Sequence, residues 1–127
     1  MRSATTSSTD RVTRRTILAA ARKAAGEKDY PVAAVRYREF VTKFADHAEV
    51  RAARLGLALA LIEGPEKDRN FAEIETLLSA LAADASFAER NQAAYHRARA
   101  FRAEGMRELA QGAPADKAFE RAFAAFA

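Results

Sequence analysis

The sequence predicts an all-α protein, an α-α superhelix of about three antiparallel helix hairpins. In six successive segments, apolar residues recur at the three- and four-residue spacing of helices, and no segment alternates like a half-buried strand. Alanine, the strongest helix former, is the most frequent residue, whereas the chain has only five Gly and three Pro. Several of these Gly and Pro residues fall between the segments and indicate turns.

The first hairpin is predicted to begin at Thr9 or Asp10, which would cap a helix that runs to about Ala25. Gly26 is expected to end this helix. Asp29 and the two residues after it open the second helix, because Pro is tolerated in a first turn. The apolar stripe of the second helix carries Ala33, Tyr37, Phe40, Val41 and Phe44.

The middle hairpin is predicted from two capping patterns. Asp46 followed by Glu49 resembles a capping box for the third helix, and Asn70 followed by Glu73 does the same for the fourth. The third helix is apolar nearly all round over residues 55–62, so we expect it at the centre of the fold. The fourth helix has an apolar stripe of Ile74, Leu77, Leu78 and Leu81.

The last hairpin opens with the strongest capping box, Ser86 with Glu89. Gly105 either ends the fifth helix or lies within it, and residues 112–114 form a break before the sixth helix. We expect the phenylalanines of the sixth helix to fold back onto the fifth helix, or to dock on a second copy, a partner or further repeats. These are Phe119, Phe123 and Phe126.

A length of 127 residues fits one domain. Residues 1–9 are predicted to be a disordered tail, and residues 10–127 a helical repeat domain. The predicted repeats span about 14–47, 49–86 and 91–127.

Two motifs recur along the chain. The first helices read Ile17-x-x-Ala20-Ala21-x-x-Ala24, Ala52-x-x-Leu55-Gly56-x-x-Leu59 and Ala94-x-x-Arg97-Ala98-x-x-Phe101. The second helices read Ala33-x-x-x-Tyr37, Ile74-x-x-x-Leu78 and Phe119-x-x-x-Phe123. Over residues 13–127 the chain resembles the tetratricopeptide-repeat family, whose period is about 34 residues, and somewhat its bacterial envelope members. The chain departs from that family in having no Trp, and only the second repeat keeps the glycine.

The resemblance implies how the pairs pack. Small residues would let the second helix of each pair lie close to the first; they are Ala21, Gly56 and Ala98. Larger residues would fill the space between successive pairs; they are Tyr37, Leu78 and Phe123.

The resemblance also implies a non-catalytic interaction module or scaffold, which binds a peptide or a helix of a partner protein in a concave groove. Carried over by position, the groove residues are Arg15, Leu18, Arg22, Val50, Ala53, Leu57, Gln92, Tyr95, Arg99 and Arg102. This face has an apolar middle and basic ends, so we expect an acidic or carboxylate-ended partner, which an Arg fork binds well. Alternatively, Leu57 and Tyr95 belong to the core, and Arg99 and Arg102 to a solvated face.

Charge suggests a second function. Residues 1–30 hold seven Arg or Lys against three acids, whereas fourteen bases meet fourteen acids from residue 31 onward. The alternative is therefore binding of nucleic acid or an anionic surface through the basic N-terminal helix. No nucleic-acid motif is present, so we do not expect nucleic acid as the main partner.

We expect no enzyme activity, no cofactor and no metal. His47 and His96 are not in a metal-ligand pattern, and no Gly-rich phosphate loop occurs. Glu73 and Glu75 are two residues apart and would point to different sides of a helix. The chain has no Cys, which excludes disulfides and thiolate metal sites.

The longest apolar run, residues 55–62, is far shorter than the ~20 residues of a membrane span. A pair of arginines at positions 14 and 15 loosely resembles a twin-arginine signal, but Arg22 and Lys23 break the apolar region that should follow. We therefore expect a soluble protein without a signal peptide, with the cytoplasm slightly favoured.

Overall fold

The structure, a computed structural model, describes residues 8–112 and 116–126. Its described residues form six α-helices, one short 3₁₀ helix and no strand, which confirms the predicted all-α hairpin arrangement. The α-helices are α1 (Ser8–Gly26), α2 (Tyr30–Lys43), α3 (Val50–Glu63), α4 (Phe71–Ala83), α5 (Arg90–Ala110) and α6 (Asp116–Phe126). The 3₁₀ helix, Glu66–Asp68, lies between α3 and α4.

The chain divides into two compact units of three α-helices each. The N-terminal unit is Met1–Gly64, in which α2 packs against both α1 and α3. The C-terminal unit is Pro65–Ala127, in which α5 packs against both α4 and α6. The helices of the predicted second repeat, α3 and α4, thus belong to different units, and the predicted repeat bounds stay a prediction.

The helix starts agree only in part with the predicted caps. Asn70 caps α4 as predicted, because its Oδ1 accepts a hydrogen bond from the backbone N–H of Glu73 at 3.2 Å. The predictions for Asp46 and Ser86 were wrong. α3 begins after Glu49 and α5 after Glu89, and neither start has a side-chain cap.

Tight turns explain both wrong caps. Before α3, His47 N–H donates to the carbonyl of Phe44, and Val50 N–H to that of His47. The same two bonds recur forty residues later, from Phe87 to Asp84 and from Arg90 to Phe87. These turns fill the positions that a cap would need, so each helix starts later than the pattern predicts. Ser86 instead donates its hydroxyl to Asp84 Oδ1 at 2.7 Å.

Other helix ends differ from the predictions in detail. α1 begins at Ser8, within the predicted tail of residues 1–9, and residues 1–7 lie outside the described residues. Gly26 is its last helical residue as expected, but the left-handed residue of the turn is Lys28, with φ +62°. Gly105 lies inside α5. The predicted break falls on Gly112, with φ +76°, and on residues 113–115, which lie outside the described residues.

Each unit has one close approach between an aromatic ring and a glycine. In the N-terminal unit, a Cβ added to Gly56 of α3 would lie 2.5 Å from a ring carbon of Tyr37 of α2. In the C-terminal unit, a Cβ on Gly105 of α5 would lie 2.9 Å from the ring of Phe119 of α6. The prediction that Phe123 fills space between pairs was wrong, because its side chain is 79% exposed.

Candidate functional site

The surface that best fits a binding site lies along α5. We call it the α5 stripe, and it is a row of residues at alternating spacings of three and four. It consists of Gln92, Tyr95, Arg99, Arg102, Met106 and Leu109. This spacing places all six on one side of a helix, as in the seam of a coiled coil. All are exposed except Arg99, which is partly exposed.

The two ends of the α5 stripe are apolar. Tyr95 is 57% exposed, and its ring meets the edge of Phe126 of α6 at a centroid distance of 6.1 Å. Met106 and Leu109 form the other end and are exposed as well. Exposed apolar side chains at both ends of one helix face are typical of an interaction surface.

The middle of the α5 stripe is basic. Arg99 Nη1 lies 3.0 Å from Nδ1 of His96, which orients its guanidinium along the helix. Arg102 is exposed and has no ion-pair partner in the part of the chain that the structure describes. None of the six stripe residues is acidic. The stripe can therefore offer two guanidinium groups to a carboxylate between two apolar contacts.

The other predicted groove residues lie elsewhere. Leu57 is 2% exposed and belongs to the core, which is the alternative weighed for it; Tyr95, given the same alternative, is exposed. Three further groove residues are buried too, namely Leu18, Val50 and Ala53. The expected apolar middle on α3 is thus part of the core of the N-terminal unit. Arg15 and Arg22 are exposed on α1, and Arg22 forms an ion pair with Glu49 at 3.6 Å.

The three phenylalanines of α6 differ in their surroundings. Phe119 is half-buried over Gly105, so the expected folding back onto α5 holds for this ring. Phe123 is exposed and Phe126 is 50% exposed. The exposed rings form, with Asp116 and Glu120, an uncovered face of α6, which we call the α6 phenylalanine face.

A charged cluster that the sequence did not predict joins the three helices of the C-terminal unit. Glu75 of α4 lies close enough to Glu104 of α5 for the two carboxyl groups to interact, and Arg121 of α6 donates to Glu104 Oε1 at 2.6 Å. Burial, and then the nearby negative charge of Glu104, raise the pKa of Glu75 from 4.5 to about 7. Arg97 and Arg121 each lie about 5 Å from the centre of the Phe101 ring, so cations flank the pair.

Nothing local marks this pair, because its members are 29 residues apart in the sequence. The spacing of Glu73 and Glu75 concerns residues of one helix, so it could not indicate a carboxylate contributed by another helix. The cluster stabilises or destabilises the packing of α4, α5 and α6 according to the protonation of Glu75.

Among residues 8–112 and 116–126, no three His, Cys, Asp or Glu side chains come together as metal ligands would. No helix in those same ranges has the length and hydropathy needed to cross a membrane. His47 and His96 make local contacts: Nδ1 of His47 accepts from the N–H of Glu49, and Nδ1 of His96 lies against Arg99.

Comparison of the chain with family models, curated proteins and solved structures finds no match in any of the three. The resemblance to tetratricopeptide repeats thus depends only on the motif residues that carry it.

Proposed function

We propose that this protein is a non-catalytic interaction module, related to tetratricopeptide repeats, that binds an acidic peptide or helix of a partner protein. The observation that carries the proposal is the α5 stripe, which is exposed along 18 positions of one helix, 92 to 109. A helix face that combines exposed apolar residues with arginines is the kind of surface on which another chain docks.

The apolar ends and basic middle of the α5 stripe indicate what kind of peptide would bind there. A docked peptide would bury Tyr95 at one end and Met106 with Leu109 at the other, and the hydrophobic effect would supply affinity. Arg102 would then need a carboxylate opposite it, because a buried guanidinium without a partner is costly, and Arg99 about one turn away could donate to the same carboxylate. The expected ligand carries Asp or Glu in its middle and large apolar residues about two turns away on either side.

Selection from a displayed library of random peptides tests this proposal. We expect enrichment of acidic sequences, with at least tenfold weaker binding to the double variant Arg99→Ala, Arg102→Ala. The matched control is Arg36→Ala with Arg90→Ala, which removes two exposed arginines outside the stripe and should bind like the wild type. Enriched peptides that bind the double variant as well as the wild type would contradict the proposal.

The basic first helix supports an alternative function. Arg11, Arg15, Arg22 and Lys23 are exposed on α1, and such a face could bind nucleic acid or an anionic surface. A 30-nucleotide single strand of mixed sequence is a suitable probe. Affinity that falls steeply with salt, ignores sequence and survives the Arg99 and Arg102 changes would favour this alternative over the α5 stripe.

A further inference from the structure

The α6 phenylalanine face has a counterpart in the N-terminal unit that shows what covers such a surface. Phe123 and Phe126 of α6 have the same spacing as Tyr37 and Phe40 of α2. Each of these phenylalanines lies 86 residues after its counterpart in α2. Yet Tyr37 is 8% exposed and Phe40 is fully buried, whereas the phenylalanines of α6 are 79% and 50% exposed.

A third helix accounts for the difference. In the N-terminal unit, α3 packs on α2 and only lightly on α1, and it presents Gly56 to the ring of Tyr37. In the C-terminal unit, within residues 65–112 and 116–126, no helix occupies the corresponding side of α6. By analogy with α3, a helix that offers small residues where it crosses Phe123 would cover this face.

The charge of the α6 phenylalanine face indicates what kind of helix would dock on it. Asp116 and Glu120 line a shallow depression of α6 together with Phe119, Phe123 and Ala124. A helix that docks there should carry bases beside its small residues, because carboxylates on one surface attract cations on the other.

We propose that the occupant is α1 of a second copy of this chain. The exposed side of α1 carries small residues at Thr16 and Ala19, together with Val12 at one end. Basic side chains flank them, namely Arg11, Arg15, Lys23 and Arg22, of which Arg22 is paired with Glu49, and residues 11–23 include no acid. The small residues of α1 would leave room for the exposed rings of α6, and its basic side chains are opposite in charge to Asp116 and Glu120.

The exposed rings alone are too small a surface to hold together a symmetric pair of α6 helices. Two phenylalanine rings per copy, exposed to the extent seen here, would bury roughly 500 Å² in such a pair, less than half of the ~1,200 Å² of a stable interface. Helix α1 has 19 residues and is about 28 Å long, so it can also contact α5 near Tyr95 and the acidic residues of α6. Because the two surfaces differ, the contact is heterologous, and each copy has one of each kind.

Sedimentation velocity over a concentration series tests the proposal. The wild type should show a mass that rises above the 13.9 kDa of one chain as concentration increases. Phe123→Glu, which removes the ring from α6, and Ala19→Glu, which places a carboxylate on α1, should each remain monomeric. Val35→Glu is the matched control, since Val35 is an exposed apolar residue of α2 outside both surfaces, and it should associate like the wild type.

Mixing the two variants identifies the pairing. Phe123→Glu retains an intact α1, and Ala19→Glu retains an intact α6, so their equimolar mixture should form a heterodimer of twice 13.9 kDa and nothing larger. A wild type that stays monomeric throughout would overturn the proposal. An Ala19→Glu variant that still associates would also overturn it, because α6 would then pair with something other than α1. So would a mixture that does not associate, because intact α1 and intact α6 would then fail to bind each other.

Discussion

In the N-terminal unit the ring of Tyr37 lies over Gly56, and in the C-terminal unit the ring of Phe119 lies over Gly105. Both contacts join neighbouring helices by placing a ring where any other residue would have its Cβ. The rings differ in freedom, because Tyr37 is buried and Phe119 is only half-buried. The same kind of ring–glycine contact therefore confines the ring in the N-terminal unit and leaves the ring in the C-terminal unit room to move.

The units also differ in where their charges lie. Ion pairs of the N-terminal unit, such as those of Glu39 with Arg36 and Lys43, lie at the surface and contribute little to stability. The C-terminal unit instead brings Glu75 and Glu104 together between its helices. We therefore expect packing to dominate the stability of the first unit, and pH to influence that of the second.

The largest expected effect comes from adding a methyl group at the two ring contacts. Gly56→Ala should lower the free energy of unfolding of the N-terminal unit by about 1–2 kcal/mol, because overpacking outweighs the gain in helix propensity. Gly105→Ala should be close to neutral, since Phe119 can move outward. Urea denaturation followed by circular dichroism, with amide hydrogen exchange to separate the units, measures both.

The same substitution at Gly26 is the control for this comparison. Gly26 lies at the end of α1 with nothing within 4 Å of an added Cβ, so Gly26→Ala should be neutral or slightly stabilising. If Gly56→Ala and Gly105→Ala lowered the free energy of unfolding equally, the burial of the neighbouring ring would not determine the cost of the added methyl group.

The second prediction concerns the carboxyl pair and pH. The folded pKa of Glu75, about 7, lies above its ordinary 4.5, so the folded unit binds the extra proton between these values. The stability linked to Glu75 is therefore fully present below pH 4.5 and is lost as the pH rises through 7. Because Glu75 is partly exposed, we expect a loss of about 1–2 kcal/mol between pH 5 and pH 8.5.

Glu75→Gln should flatten this pH dependence, since the amide keeps a hydrogen-bond donor toward Glu104 and cannot ionise. Urea denaturation across the pH range, with exchange rates of α4 and α5 amides, provides the measurement. Glu39→Gln is the matched control in the N-terminal unit: neighbouring Lys43 and Arg36 lower the pKa of Glu39, so it stays ionised throughout this window. An unchanged slope in Glu75→Gln would show that another group titrates.

Sequence patterns predicted where the helices lie in the chain, but not which residues of different helices meet in the fold. The apolar stripe of α2 and the cap at Asn70 depend on residues a few positions apart. The cap was found as expected, and the stripe is buried at Ala33, Tyr37 and Phe40, whereas Val41 is half-buried and Phe44 lies just after the helix. The placement of Leu57 in the core and of Tyr95 at the surface depends on which helices lie nearby, and helical spacing alone left both residues open. Glu75 and Glu104 meet only through folding, so no local signal could identify them.

The third prediction compares a helix start that is capped with starts that are not. Asn70→Ala should cost about 1 kcal/mol, because the N–H of Glu73 loses its acceptor. Asp46→Ala, before the start of α3, which has no side-chain cap, should cost much less, and thermal denaturation of both variants measures the difference. Comparable losses would mean that Asp46 supports the turn before α3 in another way.

The smallest expected effect is a gain. Lys28 is exposed and adopts a left-handed conformation in the turn between α1 and α2, where the N–H groups of Lys28 and Asp29 bond back to carbonyls of α1. Glycine adopts this conformation without the steric cost of a Cβ, so Lys28→Gly should raise the stability of the N-terminal unit by about 0.5–1 kcal/mol. Lys28→Ala, which removes the charge but keeps the Cβ, should show no gain in the same denaturation experiment. A gain in both variants would assign the effect to the basic charge of this region rather than to the backbone, and would make electrostatic repulsion around α1 the factor to examine.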